Sequence, residues 1–183
     1  MQLGHRLSVD IDLFTDAEYG SLDFDATDTY LRNQFKYVDT MDFKAMAFGK
    51  SYYIGNSSSS CVKLDLFYTD NYIEPYIECD SIRLATVAEI AAMKLEVIRT
   101  GGRKKDFWDL HKILESYDIS ELLKLHKKRY PYTHYKEEII EKLGDFSIAD
   151  DNFDPICLEN KYWELIKLDI LQIQKKYYNP TRL

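Results

Sequence analysis

The residues most able to do chemistry are two aspartates near the start of the chain. Asp10 and Asp12 alternate with Val9, Ile11 and Leu13. On a β-strand this alternation places both carboxylates on one face, about 7 Å apart, and the aliphatic side chains on the other. Two such anions repel each other unless a divalent cation binds between them. Since Mg²⁺ is usually held by one or two carboxylates and substrate phosphates, the pair predicts phosphoryl or nucleotidyl transfer. Two exposed acids on an edge strand are the alternative.

Other polar residues are candidates for the same chemistry. Ser8 is either a phosphate contact or the first residue of the strand. Asp65 interrupts an apolar, β-rich run, where it would assist metal binding, act as a general base or simply face solvent. Lys94 lies beside the buried stripe of a predicted helix, so its amine reaches either water or a phosphate. Asp106 and Asp109 fall in the first turns of the next predicted helix, where capping alone explains either acid.

The composition indicates a globular chain without a general affinity for nucleic acid. Its 183 residues are 45% hydrophobic, which suits one domain, or a small domain with a helical appendage. The net charge of −7 argues against nucleic-acid binding through bulk charge. A local basic cluster would contact RNA phosphates or form a solvated helix face, and it consists of Lys124, Lys127, Lys128 and Arg129.

The cysteines and histidines favour no metal site. Cys61, Cys79 and Cys157 are odd in number and lack ligand spacing. The four histidines also lack such spacing, and we interpret them as surface or satisfied core residues. With no signal peptide and no long apolar run, the sequence predicts free thiols in a reducing cytoplasm and no membrane segment.

The elements that position the candidate residues change in type along the chain. Strands are predicted at 8–14 and 61–68, a hairpin at 45–49 and 51–54, a helix at 22–35 and a solvated loop over the serines at 57–60. From Thr86 the period becomes helical, and Thr86-Val87-Ala88-Glu89 forms a predicted capping box. Helices are expected over 86–99, 104–116, 118–130, 134–143 and 159–178.

The last helix carries an apolar stripe formed by Trp163, Ile166, Ile170, Ile173 and Tyr177. Strands therefore dominate before residue 85 and helices after it. The pattern predicts an α+β chain, with a sheet core at 1–84 and a helical region at 85–183 that packs on this core.

Several segments resemble one known family when they are taken in order. They are Leu3-Gly4-His5-Arg6-Leu7-Ser8-Val9-Asp10-Ile11-Asp12-Leu13-Phe14, Lys63-Leu64-Asp65, Ala92-Met93-Lys94-Leu95 and Lys105-Asp106-Phe107-Trp108-Asp109-Leu110. Together they look like the AbiEii/AbiGii toxin family of nucleotidyltransferases. The resemblance spans about residues 3–115, and the C-terminal helices carry no matching motif.

The resemblance implies a fold, a cofactor and a set of roles. The fold would be a minimal nucleotidyltransferase mixed sheet followed by a helical C-terminal region. Asp10 and Asp12 match the pair that binds the Mg²⁺ carrying a nucleoside triphosphate. Asp65 matches the third strand acid, and Lys94 and Asp106 match a later lysine and aspartate needed for activity. Relatives act as toxins of toxin–antitoxin or abortive-infection systems, and some transfer nucleotides to tRNA, so tRNA and an antitoxin are the implied partners.

One family feature has no counterpart in this sequence. Members carry a Gly-Gly/Ser-Thr-Ala type motif upstream of the aspartate pair, whose backbone N–H groups hold the triphosphate. This chain begins only nine residues before Asp10, and Gly4 does not replace the motif. We therefore expect either a gene start assigned too late or an N-terminally truncated member, and a truncated member would lack the first strand and the phosphate cradle.

Two functional hypotheses follow from these residues. The first is a metal-dependent nucleotidyltransferase in which Mg²⁺ is held by the aspartate pair. The second is a catalytically degenerate protein of the same fold that binds another protein, with which the 15 tyrosines are compatible as interface residues. Binding of Mg²⁺ and nucleotide by this chain would favour the first hypothesis.

Overall fold

The chain forms two compact units, each of which has its own core. The computed structural model describes residues 2–40 and 48–178. We name residues 8–71 the sheet unit, and residues 1–7 together with 72–183 the helical unit. The sequence placed a domain boundary after residue 84, whereas residues 72–84 group with the helices. One reason is that the Ile73 N–H donates to the Glu89 carboxylate at 2.8 Å.

The sheet unit is built on a four-stranded mixed sheet. Its elements in chain order are β1 (Asp10–Thr15), α1 (Phe24–Gln34), β2 (Tyr37–Thr40), β3 (Gly49–Ser57) and β4 (Ser60–Tyr68). The strand order is β1-β4-β3-β2, in which β1 runs parallel to β4 and the other neighbours are antiparallel. The predicted strands at 8–14 and 61–68 and the helix at 22–35 are confirmed, with slightly different ends.

The core of the sheet unit lies between α1 and one face of the sheet. Leu31 of α1 packs against Tyr52 of β3 and Leu64 of β4, and all three are buried. Ile11 of β1 pairs in register with Leu64, so the aliphatic face of β1 lies on the α1 side of the sheet. The alternate residues of β1, which include its aspartates, therefore point to the opposite face.

The hairpin predicted for this unit is wrong. Instead of strands at 45–49 and 51–54, the chain forms the single strand β3, which pairs with both β2 and β4. Residues 45–47 lie outside the described residues. Ser57 pairs with Ser60, so the serine run forms a tight turn between strands rather than a loop. Gly55 lies at a register shift beside this turn, where a Cβ would be 2.2 Å from the Ser60 carbonyl oxygen, so only glycine allows this close approach.

The helical unit contains a short hairpin and a set of helices. They are β5 (Ile77–Cys79), β6 (Ile82–Leu84), α2 (Val87–Arg99), α3 (Lys104–Ile113), α4 (Ile119–Arg129), α5 (Lys136–Lys142), α6 (Ser147–Asp150) and α7 (Trp163–Tyr178). The five helices predicted after residue 85 are therefore confirmed as α2 to α5 and α7. The hairpin and α6 are too short to leave a periodic signal in the sequence.

Two capping boxes were plausible in this unit, and only one has both of its hydrogen bonds. Asp118 accepts the Glu121 N–H and Glu121 accepts the Asp118 N–H, each at 2.8 Å, at the start of α4. Thr86 likewise accepts the Glu89 N–H at 3.1 Å. The Glu89 side chain does not reach back to Thr86, because it binds the Arg129 guanidinium and the Ile73 N–H instead.

The core of the helical unit is aromatic and aliphatic. Trp108 of α3 stacks on Trp163 at the start of α7, with ring centroids 6.1 Å apart. The stripe predicted for α7 is confirmed, since its members are buried in this core or packed against it: Trp163, Ile166, Ile170, Ile173 and Tyr177. Among the described residues, no helix combines the length and apolar character that crossing a membrane requires.

Candidate active site

The aspartates of β1 lie on one face of the sheet together with residues of β4. Asp12 pairs in register with Asp65, and Asp10 pairs with Lys63. Paired residues on neighbouring strands point to the same face, so these four charged side chains share the face opposite α1. Asp12 is exposed, Asp10 is half-buried and Asp65 is only 9% exposed.

Asp65 has one carboxylate oxygen with a donor and one without. The Lys63 ammonium donates a short hydrogen bond to Asp65 Oδ2. Among the described residues, Asp65 Oδ1 is buried and has no hydrogen-bond partner. A buried carboxylate oxygen without a donor costs free energy, so a cation or a protonated group at this oxygen would stabilise it. Lys63 was quoted in the β4 motif but was not predicted as a site residue.

The Ser8 hydroxyl contacts the first aspartate of the pair. Ser8 Oγ lies 3.1 Å from both the carbonyl oxygen and Oδ1 of Asp10. A hydroxyl donating to a carboxylate restricts its rotation, so Ser8 orients the Asp10 side chain. Its predicted role as a phosphate contact stays a prediction.

The donor set on this face consists of carboxylate oxygens, which suit Mg²⁺. Within residues 2–40 and 48–178, no group of three or more His, Cys, Asp or Glu side chains is arranged to hold a metal ion. The three aspartates therefore share a face without closing around one point. A site built from the Asp10–Asp12 pair remains compatible with this ion, because Mg²⁺ commonly takes one or two protein carboxylates and completes its shell with phosphates and water.

Lys94 lies between two carboxylates rather than extending its amine into water. Its Nζ is 2.7 Å from Asp106 Oδ1 and 2.7 Å from Asp109 Oδ2, and its side chain is 20% exposed. Burial on its own would lower the pKa of Lys94, but the charges and hydrogen bonds of Asp109 and Asp106 outweigh burial and raise it. The ammonium is therefore charged throughout the physiological pH range.

Asp106 has both of the roles that the sequence left open. Its Oδ2 accepts the Arg103 N–H at 3.0 Å, which satisfies a backbone donor at the start of α3. Its Oδ1 accepts the Lys94 ammonium. Capping and pairing with Lys94 therefore use different oxygens of the same carboxylate and do not compete.

Asp109 is the most connected residue of this cluster, and the sequence did not predict it as a site residue. It accepts two hydrogen bonds from the Arg6 guanidinium, the second at 2.8 Å, and the Lys94 ammonium at 2.7 Å. His5 Nε2 lies 3.0 Å from Asp109 Oδ1. Burial would raise the pKa of Asp109, but these donors and the charge of Lys94 outweigh burial and hold it well below its usual range.

His5 contradicts our interpretation of the histidines. It is 5% exposed, and within the described residues its Nδ1 has no hydrogen-bond partner, so it is neither a surface residue nor a satisfied core residue. The signal available for His5 and Arg6 was their position in the segment before Asp10. The signal for Asp109 was its spacing from Asp106, which places both on one face of α3.

The predicted site residues thus form two groups, one in each unit. Ser8, Asp10, Asp12 and Asp65 lie together at β1 and β4 of the sheet unit. Lys94 and Asp106 lie together between α2 and α3 of the helical unit. The roles assigned to these residues remain predictions.

Comparison with known proteins gives one family and one similar structure. A family model described as "Nucleotidyl transferase AbiEii toxin, Type IV TA system" matches residues 1–176. A crystal structure described as a "putative nucleotidyltransferase" from H. pylori is similar in fold, with a TM-score of 0.56 at 16% sequence identity. The similarity covers 97% of this chain and 83% of that chain. No curated protein matches. The structural likeness confirms the predicted α+β fold with a mixed sheet.

Proposed function

The chain belongs to the AbiEii family of nucleotidyl transferase toxins of type IV toxin–antitoxin systems, and from this premise we propose that it transfers a nucleotide from a nucleoside triphosphate to an RNA acceptor such as tRNA. The observation that carries this proposal is the pairing of Asp12 with Asp65, on the face of the sheet that also displays Asp10. A cognate antitoxin and the nucleotide are the proposed partners, and abortive infection is the proposed setting.

In this proposal Asp10 and Asp12 hold Mg²⁺, with Ser8 orienting the Asp10 carboxylate. When bound, the ion would neutralise negative charge on the phosphates of the nucleotide. Carboxylate oxygens are the ligands that this ion prefers, and the half-exposed position of the pair leaves room for a phosphate group beside it.

Asp65 is proposed to accept the proton of the acceptor. An RNA hydroxyl attacks the α-phosphorus, a new P–O bond forms, and the bond from the α-phosphorus to the bridging oxygen breaks to release pyrophosphate. The hydroxyl proton needs a base, and Asp65 Oδ1 is an oxygen without a donor among the described residues. Asp65 Oδ2 is held by Lys63, which fixes the orientation of the carboxylate.

Lys94 is proposed to bind a phosphate oxygen. An ammonium has three N–H donors, and Lys94 directs two of them to Asp106 and Asp109. The two carboxylates fix the position of the ammonium and keep it charged, so its remaining donor is held ready for an anion. Asp106 therefore acts on the phosphate only through Lys94, as a positioning residue.

The test uses α-labelled nucleoside triphosphates, Mg²⁺ and total RNA. The variant D10N/D12N should keep its fold by circular dichroism and lose both Mg²⁺-dependent nucleotide binding and transfer of label to RNA. The matched control is D16N/E18Q, which removes two exposed acids of the same unit that lie off the strands and should behave as the wild type. Unchanged nucleotide binding in D10N/D12N would overturn the assignment of the aspartate pair. Nucleotide binding without any transfer by the wild type would favour the degenerate binding module instead.

A further inference from the structure

One segment of the helical unit differs sharply in charge from the rest of the chain. Between Glu121 and Glu137, residues 122–136 contain five basic residues and no acidic residue. The whole chain, in contrast, has 31 acidic residues and a net charge of −7. The same segment contains three tyrosines. It covers most of α4, the α4–α5 connection and the first residue of α5.

Three lysines of this segment have no internal partner. Lys124, Lys127 and Lys128 are exposed, and no carboxylate among the described residues lies within 4.0 Å of their ammonium groups. Lysines elsewhere in the helical unit commonly have such partners, as Lys112 and Lys167 do. The nearest acid along the chain, Glu121, is occupied by capping α4. The exposed charge of α4 is therefore not neutralised by ion pairs of the described chain.

Arg129 is not part of this surface, although the sequence placed it in the basic cluster. It is 3% exposed, and its guanidinium donates to the buried Glu89 carboxylate. The apolar side of α4, with Leu122 and Leu123, is likewise buried in the core of the unit. Contact with phosphates would thus come from the lysines alone.

Two aromatic rings stand beside these lysines. Tyr132 is 92% exposed and Tyr135 is 57% exposed, both in the connection that follows α4. The connection is held by backbone hydrogen bonds and by its own histidine, since His134 Nδ1 lies 3.0 Å from Nδ1 of the buried His126. The rings are therefore displayed on an ordered support, which lowers the entropy cost of binding a ligand.

The charges of α4 and α5 converge on this connection. Burial lowers the pKa of His134, and the positive charges of Lys127 and Lys136 lower it further, while Glu137 opposes them. The ammonium groups of Lys127 and Lys136 thus lie near the same imidazole ring. Lys136 also sits over the Tyr177 ring, 5.2 Å from its centroid, which fixes its position.

We infer that this surface, formed by Lys124, Lys127, Lys128, Tyr132 and Tyr135, binds single-stranded RNA. The inference rests on the RNA acceptor of the proposed function and gives that acceptor a place on the helical unit. Lysines neutralise backbone phosphates, and exposed tyrosine rings stack on unpaired bases, which is the combination that single-stranded nucleic acids require. A duplex keeps its bases stacked on each other, so the rings favour a single strand. A membrane surface fits less well, because the apolar side of α4 is buried and cannot insert into lipid.

Fluorescence anisotropy of a labelled single-stranded RNA of about 12 nucleotides tests the inference, with the full chain and without nucleoside triphosphate or Mg²⁺. K127A/K128A should weaken binding at least about tenfold and reduce the salt dependence, log Kd against log salt, by about 1.4, since each lost phosphate contact to a single strand removes about 0.7. Y132A should weaken binding at least about fivefold, whereas Y132F keeps the ring and should bind within about twofold of the wild type.

The matched controls are K175A/K176A, an adjacent pair of exposed lysines on α7, and Y162A, another exposed tyrosine of the same unit. Both should bind RNA as the wild type does. Equal weakening by K175A/K176A would show that only bulk charge matters and would overturn the inference. Tighter binding to duplex RNA, or to vesicles of anionic lipid, would overturn it as well.

The assay also separates this inference from the proposed function. A chain that binds single-stranded RNA through these residues but transfers no nucleotide would refute the transferase and leave the surface intact. A chain that transfers nucleotides equally well in the wild type and in K127A/K128A, with unchanged RNA binding, would keep the transferase and refute the surface.

Discussion

The two units differ in how completely their buried carboxylates are satisfied. In the helical unit, both oxygens of Glu89, Asp106 and Asp109 accept hydrogen bonds or ion pairs from the protein. In the sheet unit, Asp65 has a donor on one oxygen, and the other is buried without a partner among the described residues. The difference indicates that the carboxylates of the helical unit hold its helices and Lys94 in place, whereas the carboxylate of β4 leaves an oxygen for a ligand.

The largest effect on stability is expected at Glu89, whose ion pair with Arg129 joins α2 to α4 with both side chains 1% exposed. Removing one member of a buried ion pair typically costs about 3–5 kcal/mol, because the other charge loses the partner that compensates its desolvation. We expect E89A to lower the free energy of unfolding by that amount in urea titrations.

The variant E89Q separates charge from hydrogen bonding at the same position. Its side-chain oxygen can still accept the Ile73 N–H, which now donates to Glu89 at 2.8 Å. We therefore expect E89Q to be less destabilised than E89A. A loss below about 1 kcal/mol in E89A would contradict the view that the helical unit depends on its satisfied carboxylates.

An intermediate effect is expected at Asp109, and it should depend on pH. The pKa of Asp109 is lowered in the folded protein, so the folded state binds fewer protons than the unfolded state in acid. Its stabilising contribution is therefore complete above the ordinary aspartate pKa of about 3.9 and is lost as the pH falls below that value. We expect D109N to lose about 2 kcal/mol of stability at pH 7, since hydrogen bonds to charged groups contribute about 1.5–3 kcal/mol.

The pH profile is the check on this explanation. Between pH 5 and pH 3, the difference in unfolding free energy between the wild type and D109N should shrink, because the wild type loses the contribution of the ionised carboxylate. A difference that stays constant over this range would show that D109N acts through packing alone.

Local patterns predicted the faces of the elements but not the partners of their charged residues. The alternation of β1 correctly placed Asp10 and Asp12 opposite its aliphatic face, because side-chain direction on a strand depends only on the period. Arg6 and Asp109, in contrast, are 103 residues apart in the chain, and no periodic signal connects them. Sequence distance therefore hid the contact that completes the Lys94 cluster.

Glu89 shows the same limit from another side. Its position three residues after Thr86 predicted a capping box, and Thr86 does cap α2. The Glu89 side chain instead pairs with Arg129, which is 40 residues away and was predicted to be solvent-exposed or RNA-bound. Tertiary packing outweighed the local signal, since a buried ion pair with a second hydrogen bond contributes more than a reciprocal cap at a helix end.

The smallest effect on stability, and the sharpest contrast, is expected at Asp65. Its bond to Lys63 is partly exposed, so it should contribute about 0–1 kcal/mol, and D65N should change the unfolding free energy by no more than that without ligand. Mg²⁺ and nucleoside triphosphate at 100 times their Kd should stabilise the wild type by about 2.7 kcal/mol and D65N by much less. The control D39N, on β2 of the same sheet, should keep the full stabilisation. A loss above about 2 kcal/mol in D65N without ligand would instead place Asp65 with the structural carboxylates of the helical unit, because only a buried group whose partners are all within the protein gives so large a loss.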